Sequence, residues 1–153
     1  MDYYAYSSLA IIAVLFTLLW VALGIAAYVL TALGLYAIAK NRGMENPWLA
    51  WIPIAQLYII GVIVKELKFG ESFTIPKMEL VLPLGALAVA VLSWIPVLGW
   101  LLSIAFAVVL IYSLYILYKK YVPEQAVLYT VLSCIGLFAI FIFIIRKKTP
   151  VEM

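Results

Sequence analysis

Four stretches of this chain carry no charged residue at all: 3–39, 46–64, 80–118 and 125–145. A helix needs about 20 consecutive apolar residues to cross the ~30 Å hydrocarbon core of a bilayer, so each stretch has room for at least one such helix. Every Lys, Arg, Asp and Glu sits between the stretches or at the chain ends. Of the 153 residues, 69% are hydrophobic and 11% charged, against roughly 45–50% and about 25% in a soluble domain. A chain this short leaves much of its surface exposed, and in water that surface would aggregate. The pattern predicts an all-α integral membrane helical bundle of four to five apolar segments, forming one transmembrane domain over 1–153.

The segments are expected at about 9–39, 46–64, 80–95, 98–118 and 125–145. A secretory signal begins with a basic region, whereas Asp2 is the sole charge before Lys40 and the first run is too long for such a signal. It therefore reads as one long helix closed by Gly43. The run 80–118 divides at Trp94-Ile95-Pro96-Val97-Leu98-Gly99-Trp100, since Pro and Gly together mark a tight turn, which predicts a helical hairpin. Residues 65–79 read as a mixed-charge loop. Cys134 has no second cysteine to pair with and reads as a small buried packing residue.

The most distinctive stretch is Asn46-Pro47-Trp48-Leu49-Ala50-Trp51-Ile52-Pro53-Ile54-Ala55-Gln56-Leu57-Tyr58. Pro47 suits a helix start, and Pro53 removes a backbone donor and breaks whatever helix contains it. The prediction is a short helix with its indoles at headgroup level, a break at Pro53, and a second helix ending near Lys65. Leu92-Ser93-Trp94-Ile95-Pro96-Val97 echoes Leu49-Ala50-Trp51-Ile52-Pro53-Ile54. Paired broken helices surround binding sites in some transporters, although Trp-Ile-Pro is also a good membrane-surface turn.

Orientation follows Lys and Arg, which stay cytoplasmic. With five crossings the ten basic residues divide evenly between the two sides. A re-entrant 46–64, admissible where the backbone is buried in protein, puts Lys40, Arg42, Lys65, Lys68, Lys77, Lys119 and Lys120 on the cytoplasmic side against Arg146, Lys147 and Lys148 on the other, seven to three. If 125–145 also returns, at Gly136, all ten share one side. Its length and lack of proline argue for crossing. The expectation is an outside N-terminus, a cytoplasmic 40–45 loop, a 46–64 segment broken at Pro53 that either crosses or re-enters, and an open C-terminal side.

Tyr36-Ala37-Ile38-Ala39-Lys40-Asn41-Arg42-Gly43, the Asn46–Ile54 motif with Leu57-Tyr58-Ile59-Ile60-Gly61, and the tail Tyr121-Val122-Pro123-Glu124-Gln125-Ala126-Val127-Leu128 with Ile145-Arg146-Lys147-Lys148 together resemble a family of uncharacterised small multi-pass membrane proteins from Gram-positive bacteria. The resemblance implies a helical protein of the bacterial cytoplasmic membrane and supplies no chemistry. Relatives usually carry Asn where this chain has Gln56.

The chain has no histidine, which removes imidazole metal sites and general bases. There is no Gly-rich phosphate loop, and a proton-coupled carrier normally needs an ionisable group inside the membrane, where this chain has none. The expectation is a non-enzyme with no cofactor, no metal and no nucleic-acid partner. Three constellations are candidates. Lys40 and Arg42 with Trp48 and Trp51 suit an anionic lipid headgroup. Pro53, Gln56 and Tyr58 mark a helix-break or ligand site. Ser103, Tyr112 and Tyr115, with Ser113, Tyr129 and Thr130, suit a polar seam between helices. The first functional expectation is an accessory, assembly or immunity-type subunit whose partners are the lipid bilayer and another membrane protein or a second copy. The alternative is a small channel or transporter with a site near Pro53 and Gln56. A lipid-acting enzyme would need a polar cluster around Lys40, Arg42 and Asn46.

Overall fold

A computed structural model describes residues 3–69 and 73–151. Helix α1 runs Tyr3–Asn41 and changes character along its length. Side chains from Ser8 to Ala26 are all exposed, whereas Ala32, Leu35, Ile38 and Ala39 are buried. A helix apolar all round belongs in lipid or in a core, so its first half makes sense only with hydrocarbon around it. Gly43, at φ +67°, ends the helix in the left-handed turn that glycine adopts at low cost.

The chain then turns back along α1. Pro47–Trp51 forms a single 3-10 turn, Ile52 is extended at φ −102°, ψ 120°, and Pro53 opens α2, Pro53–Val64. The break thus falls at Ile52, because a residue before proline is pushed out of the helical region, and Pro53 starts the next helix instead of interrupting one. The Tyr28 hydroxyl donates to the Trp51 carbonyl, which places Trp51 about 20 Å along α1 from Asn41. Helix α2 reverses that descent: Lys120 Nζ donates to the carbonyls of Ile63 (2.7 Å) and Val64 (3.2 Å), beside the end of α1. Residues 46–64 therefore enter and leave at the same end of the bundle.

The 65–79 interval holds more than a loop. Strands β1 (Leu67–Phe69) and β2 (Phe73–Ile75) pair antiparallel, with Leu67 opposite Ile75 and Lys68 opposite Thr74. Leu67 is fully buried while Lys68 is exposed, the period-two alternation of a half-buried strand. The all-α expectation is corrected to that extent. Lys65 and Lys77 flank the hairpin at positive φ, and the Met78 amide closes it on the Lys65 carbonyl at 3.0 Å.

Helices α3 (Met78–Leu92) and α4 (Pro96–Tyr121) form the expected hairpin. Trp94 at its tip is 90% exposed. Helix α3 packs on α2 at Gly61, where an added Cβ would strike the Met78 carbonyl and lie 2.5 Å from Glu79 Cα.

The last apolar segment does not run straight. Helix α5 (Ala126–Leu132) gives way to a π turn, Ser133–Leu137, in which Gly136 has φ 97°, and α6 (Phe138–Ile145) follows. The rings of Tyr129 and Phe141 stack at 4.3 Å, whereas a continuous helix would separate those positions by about 18 Å. The Val151 amide then donates to the Lys120 carbonyl at 2.7 Å, so 123–150 also starts and finishes at one end. Whether 125–145 crosses is open in the sequence; in the structure, left-handed backbone at Gly136 turns the segment round.

Three stretches are long and apolar enough to cross a membrane, Ser8–Asn41, Pro96–Tyr121 and Pro123–Ile145, not four or five. The third qualifies by length and composition while its path doubles back. Pro53–Val64 and Met78–Leu92 are shorter. The basic segments are tied to one another: Arg42 to Tyr121, Asn41 to the Arg146 carbonyl, Lys120 to the end of α2, and Lys65 to the start of α3. Loops carrying all ten Lys and Arg thus open from one end.

Candidate functional site

The two doubled-back segments bring their inner ends to one chamber. A cavity of about 490 Å³ is lined by Thr31 from α1, Pro53, Gln56, Leu57 and Ile60 from α2, and Leu110, Ile111 and Leu114 from α4. Thr130, Ser133, Cys134, Phe138 and Ile142 of the second doubled-back segment complete it, and Cys134 is exposed there and not buried as the sequence suggests. Thr31 stands about 15 Å along α1 from Asn41, so the chamber lies in the interior of the bundle's length, away from the basic end.

Each polar group there is held by its own element. Pro53 starts α2 in a fixed direction, and one turn later the Gln56 amide donates from Nε2 to the Ala50 carbonyl at 2.9 Å. That bond spans the break at Ile52 and satisfies backbone that the interruption leaves unpaired. Thr31 donates to the Ala27 carbonyl and Thr130 to the Ala126 carbonyl, at 2.8 and 2.7 Å. Ser133 shares a 2.8 Å hydrogen bond with the buried Tyr118 hydroxyl. A threonine whose hydrogen points to its own helix keeps oxygen lone pairs for a ligand, and a glutamine with one N–H committed keeps a second N–H and its carbonyl. No charged residue lines the chamber. It therefore suits an uncharged, mainly apolar molecule with a hydroxyl or amide to be accepted.

The other sequence-derived sites fare differently. Lys40, Arg42, Trp48 and Trp51 do not share a site. Arg42 turns to Tyr121, its Nε 2.8 Å from the hydroxyl, while Trp51 lies deep beside Tyr28 and Trp48 bonds Asn46 Oδ1 at 3.3 Å. Trp51 is thus set apart from Lys40 and Arg42, because the segment folds back along α1 before Pro53. Lys40, Arg42 and Asn46 do not converge on a cleft. Tyr58 sits on α2 outside the chamber lining. In the polar seam, Tyr112 and Tyr115 stack at 6.0 Å and border an open groove of about 450 Å³ with Thr130. Ser103 stays apart, donating to Gly99 of its own helix at 2.7 Å, and Ser113 likewise bonds Val109.

Sequence reasoning missed Tyr118 and Ser133. Tyr118 lies edge-on to both Tyr129 and Phe141, at 5.7 and 6.4 Å between ring centres, and so braces the second doubled-back segment against α4. Its signal is faint: a Tyr in an apolar helix, with a Ser fifteen places on.

The geometry defines a class, a helical bundle of membrane type with three stretches able to span and two segments folded back from one end. Comparison with family models, with curated proteins and with solved structures finds no match to this chain.

Proposed function

We propose that this chain is a non-enzymatic, multi-pass protein of the bacterial cytoplasmic membrane that binds an uncharged, largely apolar molecule in the chamber between its two folded-back segments, as a small carrier or receptor would. The observation that carries this reading is the convergence of Gln56, Thr130 and Ser133, from two independent breaks, on one cavity without charge. In sequence terms this is the second reading, resting on the Pro53 break and the Trp-Ile-Pro echo. A second break facing the first makes it the better supported, since interrupted helices in lipid are tolerated where they line a cavity. Photolabelling the purified protein with an aliphatic diazirine alcohol is expected to place adducts on Gln56, Thr130 or Cys134, and Gln56→Leu should abolish most of that labelling. Adducts spread evenly over the exposed half of α1, with none in the chamber, would refute it.

Both folded-back segments are read as re-entrant, which puts all ten basic residues and the C-terminus in the cytoplasm and the N-terminus outside. In a Cys134→Ser background, single cysteines replacing Glu45, Glu66, Glu124 or Thr149, all exposed, should react with an impermeant maleimide only from the cytoplasmic face. Trp94→Cys should react only from the other. Reaction of position 149 from the outer face would mean that the last segment crosses after all.

The accessory-subunit reading is the second one. It is favoured by α1, whose residues 8–26 are all exposed and which, at about 50 Å from Ser8 to Asn41, outreaches the hydrocarbon layer. Recovery of the chain from native membranes at monomer mass, with no co-purifying protein, would count against it.

A further inference from the structure

The richest cluster of charge lies outside the chamber. At the basic end, a polar cleft of about 300 Å³ is bounded by Asn41 and Arg42 at the end of α1, Tyr121 at the end of α4, and Arg146, Lys147 and Lys148 after α6. Chain order separates these groups by about a hundred residues, and the second fold-back is what brings them together. Had 125–145 crossed straight, Arg146 and its neighbours would stand at the opposite end.

The cleft is a built arrangement. Arg42 is half-buried, with Nε 2.8 Å from the Tyr121 hydroxyl and its guanidinium carbon 5.5 Å from that ring's centre. Arg146 rests its guanidinium 3.3 Å from the centre of the Phe143 ring, and its carbonyl accepts from Asn41 Nδ2 at 3.2 Å. Two arginines are thus fixed by aromatic and amide contacts, the way a planar fork is prepared for a bidentate anion. With Nε of Arg42 committed to Tyr121, its two terminal nitrogens are what it can present to an anion. Among the described residues, the sole ion pair is Lys68–Glu66, so no described carboxylate neutralises the four cations of the cleft. Glu124 lines a neighbouring pocket with Lys148.

We infer that this cleft binds a phosphate-bearing anion, recognised by the Arg42 and Arg146 forks with Lys147 and Lys148 at its mouth. Two sources offer that chemistry, an anionic phospholipid headgroup and a soluble phosphate. Its position at the ends of α1, α4 and α6, where a headgroup layer would meet the bundle, suits the lipid. The inference stands apart from the chamber and its ligand.

The test is native mass spectrometry of the full chain in mild detergent, titrated with phosphatidylglycerol or phosphatidylcholine. The wild type should retain phosphatidylglycerol and not phosphatidylcholine. Arg42→Gln with Arg146→Gln should weaken retention roughly tenfold or more, since each basic group near an anionic surface contributes on the order of a fivefold factor. Lys68→Gln with Lys77→Gln removes the same charge from outside the cleft and should leave retention within about twofold. Equal losses from both pairs, or equal retention of both lipids, would overturn the inference by showing a diffuse basic surface or nonspecific adhesion. Inorganic phosphate added in competition separates the sources: displacement of the lipid supports a soluble anion as occupant, and persistence supports the headgroup. If the arginine pair fails to fold, Lys147→Gln with Lys148→Gln, both exposed, puts the same question.

Discussion

Gly61→Val should leave little folded protein. The α2–α3 contact is backbone against backbone, and a Cβ at position 61 meets the Met78 carbonyl and the Glu79 amide and Cα, at 2.5 Å for the last two. No side chain can swing aside to make room, so the helices must separate. Overpacking a tight core commonly costs about 1–3 kcal/mol, and a branched residue against rigid backbone belongs at or above the top of that range. Against a total stability of about 5–15 kcal/mol, the expected readout is a large fall in monodisperse yield and in thermal midpoint in detergent. Gly24→Val is the matched control. Nothing lies within 4 Å of a Cβ there, and its neighbours on α1 face outward. It should behave as wild type, and similar behaviour of the two variants would mean that α2 and α3 are not packed as described.

Gly136→Val is the second large effect, and its cause is different. Space is ample at Gly136, with nothing within 4 Å of a Cβ, but φ is +97°. A β-branched residue is a genuine outlier there, and such strain costs of order 1–3 kcal/mol. The valine variant should lose about 2 kcal/mol of stability, and Gly136→Asn distinctly less, because Asn tolerates left-handed backbone better. The strained segment has an escape: 123–145 is long enough to span when straight. Part of the Gly136→Val population should therefore show a Thr149→Cys label on the outer face, where the parent shows none. Wild-type stability and one-sided labelling in Gly136→Val would show that the reversal does not depend on this residue's backbone.

The contrast between these glycines explains what could be read in advance. Pro47 advertises a helix start, Pro53 a break and Pro96 a turn, and the structure opens its 3-10 turn, α2 and α4 at those three residues. The Trp94 turn and the long first helix were equally plain, since both follow from charge spacing and turn chemistry. Gly136 carries no such flag. A glycine inside an apolar run costs only about 1 kcal/mol relative to alanine, is common in membrane helices, and reveals its φ only through tertiary contacts. The one hint was electrostatic: only a returning last segment puts every basic residue on one side. The hairpin over 67–75 left a trace in Leu67-Lys68-Phe69 and Phe73-Thr74-Ile75, whose alternation was masked by the charges around it.

The candidate sites divide in the same way. Gln56 was legible because it follows a proline break, and it does bridge that break through Ala50. Its chamber was not, since Thr130 and Ser133 reach it only through the turn at Gly136. Arg42 was likewise visible as a basic residue near a helix end, but its partner is Tyr121, 79 positions away, and no local pattern joins them.

Both reversals start from the same end and penetrate only part of the bundle's length, so the molecule is not a cylinder. One half of its height holds α1, α4 and the start of α3 together with four further passes from the folded-back segments, while the other holds α1 and the α3–α4 tip. Embedded in a bilayer, such a wedge displaces more lipid from one leaflet than from the other, and its elastic energy falls where the sheet bends to match. A bundle embedded in that way would be mechanically coupled to the curvature of the sheet that holds it.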